Sequence, residues 1–268
     1  MLKRETIDGV ELAFADEGAG PAVLLLHPFP VDHRVWADNV PALLSIGRRV
    51  VAMDYPGFGA SPAPPTPWSI ADLARLVVGL MDRLELARAT VAGESMGGYV
   101  ALALAAQAPA RLAALILADT RAAADGPAAR LGRANALDAI RTRGVPAFLE
   151  QSVPRLLAPA ADPALVSRVR ALAETRAQSL LDAVSALRDR PDRSAELGAI
   201  TCPTLVMVGS ADQVTPSADV RQLADGIAGA RFVEIPGVGH LSNIEAPSAF
   251  NEAVVEFLSA VATREAAQ

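Results

Sequence analysis

Thr90-Val91-Ala92-Gly93-Glu94-Ser95-Met96-Gly97-Gly98-Tyr99 is the stretch around which the rest of the chain is arranged. Arg88 to Ala92 ends in apolar, β-compatible residues, and Tyr99 to Gln107 runs without a breaker up to Pro109. The pattern predicts a short buried strand, a sharp turn and a helix. Gly93-Glu94-Ser95-Met96-Gly97 puts a serine at the centre of that turn, in the arrangement G-x-S-x-G. A strained strand-to-helix turn lifts a hydroxyl above the sheet edge. It also brings neighbouring segments close, so the positions two residues either side must be nearly without side chains, and glycine meets that need. The helix start leaves free N–H groups aimed where negative charge on an oxygen would develop.

The segments on either side fall into strands and helices. Lys3 to Ile7, Asp8-Gly9 and Val10 to Ala15 read as a β-hairpin with a type I′ turn. Ala22 to Leu26 is a continuous apolar run, as expected of a parallel strand buried on both faces, and it ends in His27-Pro28-Phe29-Pro30. Trp36 to Leu44 reads as a short helix and Arg49 to Met53 as the next strand. Asp54-Tyr55-Pro56-Gly57-Phe58-Gly59-Ala60-Ser61 is a glycine-rich loop, and a helix from Ser69 to Leu84 opens on a serine N-cap with Asp72 in its first turn. Beyond the central stretch, Leu112 to Ala118, Thr204 to Val208 and Arg231 to Ile235 are strands, and a last helix covers about Pro247 to Ala262. From about Ala122 to Glu196 strand patterning is lost. That region is rich in Ala, Arg and Leu, is punctuated by prolines, and reads as four or so short helices. Strands alternating with helices imply a mostly parallel sheet with helices on both faces. Residues 1–121 and 197–268 form its core, with 122–196 as a helical insertion. Such sheets carry their sites at the carboxyl ends of the strands, where Ser95, Asp212, His240 and the His27 turn all fall.

The totals exclude several classes. With 268 residues, 51% hydrophobic and 20% charged, the chain affords a sizeable core. Its net charge of −6 is spread without blocks, which argues against nucleic acid as a partner. One cysteine, Cys202, excludes an internal disulfide and a cysteine-based zinc cluster and reads as a small buried residue before a strand. No H-E-x-x-H or other metal spacing occurs, and the G-x-G of Gly57 and Gly59 lacks a dinucleotide fingerprint. Met1 to Glu5 has no apolar run behind it, and no apolar stretch is long enough to span a bilayer. The expectation is a cytoplasmic protein with no membrane partner. Oligomeric state is not legible.

Five motifs in order carry a resemblance: His27-Pro28-Phe29-Pro30, Asp54 to Ser61, Gly93 to Gly97, Cys202-Pro203-Thr204 with Gly209-Ser210-Ala211-Asp212, and Gly239-His240. Over essentially its whole length the chain resembles the α/β-hydrolase family, above all the small esterase and 3-oxoadipate enol-lactonase-like members with a helical cap. The resemblance implies that Ser95 is the nucleophile and that His240, one of only three histidines, is the base that takes its proton. Asp212 matches the acid that orients the imidazole, with Asp119 as the rival, since it also ends a strand and some relatives keep the acid there. Asp119 could instead cap, or pair with Arg121.

The oxyanion hole implied by the resemblance needs two backbone N–H groups, from Met96 and Phe29. Many relatives have glycine after the histidine of the first turn; here Pro28 stands there and has no N–H to give. His27 reads as structural and His33 as a plain loop histidine. The cap should cover the site, with Trp36, Arg121 and Phe148 as candidates for the pocket wall. The implied activity is cofactor-free, metal-free cleavage of a small ester or lactone by a Ser-His-Asp triad. A perhydrolase, a C–C bond hydrolase or a lyase could use the same residues, and a ligand receptor on this scaffold is a rival of another class. Ser95 speaks against the dehalogenases and epoxide hydrolases of this fold, which use an aspartate nucleophile.

Overall fold

The structure is a computed structural model and describes residues 2–173 and 175–266; Met1, Glu174, Ala267 and Gln268 lie outside the described residues. The sheet opens with β1 (Lys3–Ile7) and β2 (Val10–Glu17), joined through Asp8 and Gly9 at φ 49° and 80°, the two left-handed residues a type I′ turn requires. β3 (Ala22–Leu26) is buried at every position. The helix expected over Trp36 to Leu44 is split. A 3₁₀ turn covers His33–Trp36, and α1 (Val40–Ser45) starts later with Pro41 in its first turn, where a missing N–H costs nothing.

β4 (Arg49–Met53) is followed by α2 (Ile70–Arg83), which begins at a reciprocal capping box between Ser69 and Asp72. β5 (Ala89–Glu94) runs two residues further than its apolar pattern and feeds α3 (Met96–Gln107), which is buried from Met96 to Ala105. β6 (Leu112–Ala118) then leads into the helical region. α4 (Pro127–Ser152) is far longer than the short helices expected there and is kinked at Gly144, whose φ of 80° leaves the helical region two residues before Pro146. α5 (Pro163–Leu172) and α6 (Ala177–Asp189) complete it, with 3₁₀ turns at Val153–Leu156 and Ser194–Ala199. β7 (Thr204–Gly209), α7 (Ser217–Asp225), β8 (Arg231–Ile235), α8 (Ser242–Glu245) and α9 (Pro247–Ala266) close the chain. Cys202, expected to be buried, is half-buried just before β7.

The strand order is β1-β2-β4-β3-β5-β6-β7-β8. β1 with β2 and β2 with β4 are antiparallel, and the remaining pairs are parallel. The fold is therefore the mostly parallel sheet with helices expected from the sequence. No helix among the described residues is long and apolar enough to cross a membrane.

Candidate active site

Ser95 sits between β5 and α3 with φ 51° and ψ −111°. A non-glycine residue held there stores about 1–3 kcal/mol of backbone strain. The turn closes only because its flanks are bare: a Cβ at Gly93 would overlap the Gly97 carbonyl, and one at Gly97 would overlap the Leu26 carbonyl of β3. The Ser95 amide donates to the Ala118 carbonyl at 2.9 Å, and Thr120 Oγ1 donates to the Ser95 carbonyl at 2.9 Å, so both ends of the strained residue are tied to β6 and the loop after it.

His240 reaches the serine from the loop after β8. Its Nε2 lies 2.8 Å from Ser95 Oγ, and its Nδ1 lies 2.7 Å from Asp212 Oδ2. Asp212 Oδ1 accepts from the Val214 and Thr215 amides at 2.7 and 2.9 Å, which fixes the carboxylate. With the acid at Nδ1, the neutral ring holds its proton there and turns a bare Nε2 toward the serine hydroxyl. Burial opposes charging of this ring, but the Asp212 carboxylate outweighs it and raises His240 above the ordinary imidazole value. Ser95 keeps 8% exposure while His240 keeps 1%. Both are buried, and both line the same cavity.

The rival acid has other partners. Asp119 accepts from the Gly209 amide at 2.9 Å and from the Ser242 hydroxyl, and its carboxylate is not the one on Nδ1. It does not pair with Arg121, which bonds instead to Asp125 at 2.9 Å and Asp219 at 3.1 Å.

A cavity of about 340 Å³ opens over Ser95 and His240. Phe29, Arg121 and Phe148 line it, with the Phe29 and Phe148 rings 6.2 Å apart. Trp36 does not. Its ring is buried 6.1 Å from Phe250 beside a separate void of about 10 Å³, because the 3₁₀ turn that carries it packs inward. Arg133 and Arg155 line the cavity and were not anticipated. The helical spacing of Ala128, Ala129, Gly132, Arg133 and Ala136, small residues and one cation on a single face of α4, is the signal that would have found the first.

Phe29 lines the same cavity as Ser95, Met96 follows Ser95 as the first residue of α3, and neither amide has an acceptor among the described residues. His27 is fully buried and holds its turn. The Tyr55 amide donates to its Nε2 at 3.1 Å, so Nδ1 donates to the Pro28 carbonyl at 2.9 Å, and burial lowers its pKa. His33 is not a plain loop residue. Its Nδ1 lies 2.7 Å from the buried Asp54 carboxylate, which raises the ring against the opposing effect of burial.

The His240 loop is tied to the cap. The Leu241 amide donates to the Leu156 carbonyl at 3.0 Å. Glu245 accepts from the Ala158 amide at 3.1 Å and from the Gly239 amide at 3.0 Å. Gly239 lies so close to Leu157 and Ala158 that a Cβ would strike their backbone.

Comparison with known proteins bears on the fold. Residues 21–247 match the model of the alpha/beta hydrolase fold family. A thermophilic esterase from Thermogutta terrifontis, solved with malate bound, is 34% identical with a TM-score of 0.91 over 97% of this chain and 99% of its own. The enol-lactonase from Burkholderia xenovorans LB400 is 33% identical with a TM-score of 0.88 over 96% of this chain and 100% of its own. 3-Oxoadipate enol-lactonase 2 from Acinetobacter baylyi is 30% identical over 93% of each chain. With the strand order, the serine turn and this match all in agreement, the chain belongs to the α/β hydrolase family.

Proposed function

We propose that the protein is a serine hydrolase that cleaves a small carboxylic ester or lactone through an acyl-enzyme on Ser95, and that the substrate carries a carboxylate away from the scissile bond. The observation that carries the reading is the relay from Asp212 through His240 to Ser95, hydrogen-bonded at both steps and opening on a cavity. Ser95 Oγ attacks the carbonyl carbon while its proton passes to Nε2 of His240. The Phe29 and Met96 amides hold the resulting oxyanion, the second at the start of α3 where helix N–H groups are free. The acyl C–O bond then breaks, and the leaving alkoxide takes the proton from Nε2; in a lactone that alcohol stays attached to the acyl group. Water next gives a proton to Nε2 and attacks the acyl carbon, and Ser95 leaves with that proton. Asp212 stabilises the imidazolium at each stage.

Support for the carboxylate is the wall chemistry. Arg121, Arg133 and Arg155 line the cavity, and no Asp or Glu does. Asp125 pairs with Arg121, Arg133 and Arg190 at once and Asp219 with Arg121 alone, so two anions are shared among three cations. Arg155 is exposed and has no ion-pair partner among the described residues.

A fluorophosphonate probe should label Ser95, with steady turnover of p-nitrophenyl acetate. Ser95→Ala or His240→Ala should each lower kcat on the order of 10⁴-fold. Near-normal turnover in either variant would refute the assignment, and tight ligand binding without turnover in the wild type would favour a receptor.

A further inference from the structure

Beneath the triad lies a second group of acids that acyl transfer does not use. Glu94, the last residue of β5, is fully buried, as no other glutamate is among the described residues. Its Oε1 accepts one long bond, 3.4 Å, from the Asn243 amide, and its Oε2 has no donor. The register of β5 on β6 pairs Glu94 with Ala118, Asp119 is the residue after β6, and the two carboxyls are held by consecutive residues of α8, Asn243 and Ser242, which sets them side by side. Asp119 is also fully buried, but it accepts from the Gly209 amide and the Ser242 hydroxyl.

Two ionised carboxylates in contact in so dry a place repel strongly, and one takes up a proton. The partners decide which. As an anion, Asp119 has two donors; as an anion, Glu94 would have one poor donor and an orphaned oxygen. As a neutral acid, Glu94 turns that orphan into a donor. We infer that Glu94 is held as the neutral acid and donates its carboxyl proton to Asp119, so that Glu94, Asp119 and Ser242 form a strut bracing the loop that carries His240.

The surrounding charges agree. Burial, then the Asp119 and Asp212 carboxylates, push Glu94 well above the ordinary carboxylate range. Burial and Asp212 also push Asp119 up, to about 7, against the opposing pull of His240, Ser242 and the Gly209 amide. The ionisable groups facing the pair are thus Asp212 from the loop after β7 and His240 from the loop after β8. Arg133 of α4 acts on His240 from the cavity side. Glu94 is a positioning residue: it touches Asp119, not the reacting atoms.

The direct test is carboxyl NMR of the wild type labelled at glutamate Cδ. One glutamate should keep the protonated shift at a pH where ordinary glutamates are fully ionised, and that signal should vanish in Glu94→Gln. A spectrum in which every glutamate titrates in the ordinary range overturns the inference and requires no variant to fold. In kinetics, Glu94→Leu removes the donor and should lower kcat about tenfold with KM unchanged, while Glu94→Gln, which can still donate to Asp119, should restore most of the loss. Glu94→Gln should also leave the acid limb of kcat/KM in place. A downward move of about half a unit or more would mean that a negative charge had been removed, and would overturn the neutral acid. The kinetic arm rests on the serine-hydrolase reading and the NMR arm does not, so the two can fail separately.

Discussion

At the scale of single residues, the acidity of His240 sets the pH at which the proposed reaction can run. The ring must be neutral to accept the Ser95 proton, and the Asp212 carboxylate raises its pKa. The acid limb of kcat/KM should therefore lie above the ordinary ~6.5 of imidazole. Asp212→Asn removes the raising charge and leaves the wrong tautomer, so it should lower kcat about 10⁴-fold, while Asp119→Asn should cost far less. A pH–rate profile flat from about pH 5 to 8 would count against His240 as the base, and the opposite ranking of the two asparagine variants would make Asp119 the partner acid. Ser95, Asp212 and His240 were legible because each lies in a recognisable turn or loop that follows a strand. Arg133 was not, because a cation in an alanine-rich helix looks the same whether it faces solvent or a cavity, and neither was Arg155, because the short 3₁₀ turn that carries it has no period to show a face. Trp36 misled for the converse reason: aromatic rings fill cores as readily as pockets, and only the packing of its 3₁₀ turn against Phe250 separates the two.

At the scale of elements, the strands were the most legible part. Strands covered on both faces are written as unbroken apolar runs, and β3 and β6 begin and end where those runs do. The helices were less so. α7 and α8 are short and were not anticipated, and α4 crosses Pro146 because the break in its geometry falls on Gly144 instead. The antiparallel edge of the sheet is held by Asp16 of β2, which binds Arg49 of β4 at 2.8 and 3.0 Å and Lys3 of β1 at 2.7 Å. Hydrogen bonding to Arg49 is the main reason that Asp16 titrates at about 2. A carboxylate whose folded pKa is depressed stabilises above its unfolded value, near 3.9, and loses that contribution as pH falls through the folded one. Asp16→Asn should therefore lower Tm at neutral pH, with the gap to wild type closing between about pH 4 and 2 in thermal melts. A gap that stays constant down to that range would dissociate Asp16 from the edge's stability.

At the scale of the molecule, charge is unevenly placed. A chain of net charge −6 surrounds a cavity whose wall carries three arginines and no carboxylate. Arg155→Ala should raise KM for the mono-p-nitrophenyl ester of succinate by about three- to tenfold and leave p-nitrophenyl butyrate nearly unaffected, the modest size reflecting an exposed cation. Added salt should weaken only the anionic ester. Equal effects on both esters would remove the carboxylate from the proposal and leave the triad standing. Asp125, shared by Arg121, Arg133 and Arg190, joins the loop after β6 to α4 and the end of α6, so the cover and the sheet are wired together by charge as well as by packing. The attachment of Leu241, Gly239 and Glu245 to residues 156–158 has a consequence for descent and for engineering. The helical region over the cavity cannot be traded for a foreign one as a free module. A hybrid gene whose crossover falls before residue 153 inherits the moorings of its own His240 loop. One whose crossover falls after residue 158 arrives with moorings cut for another enzyme's histidine.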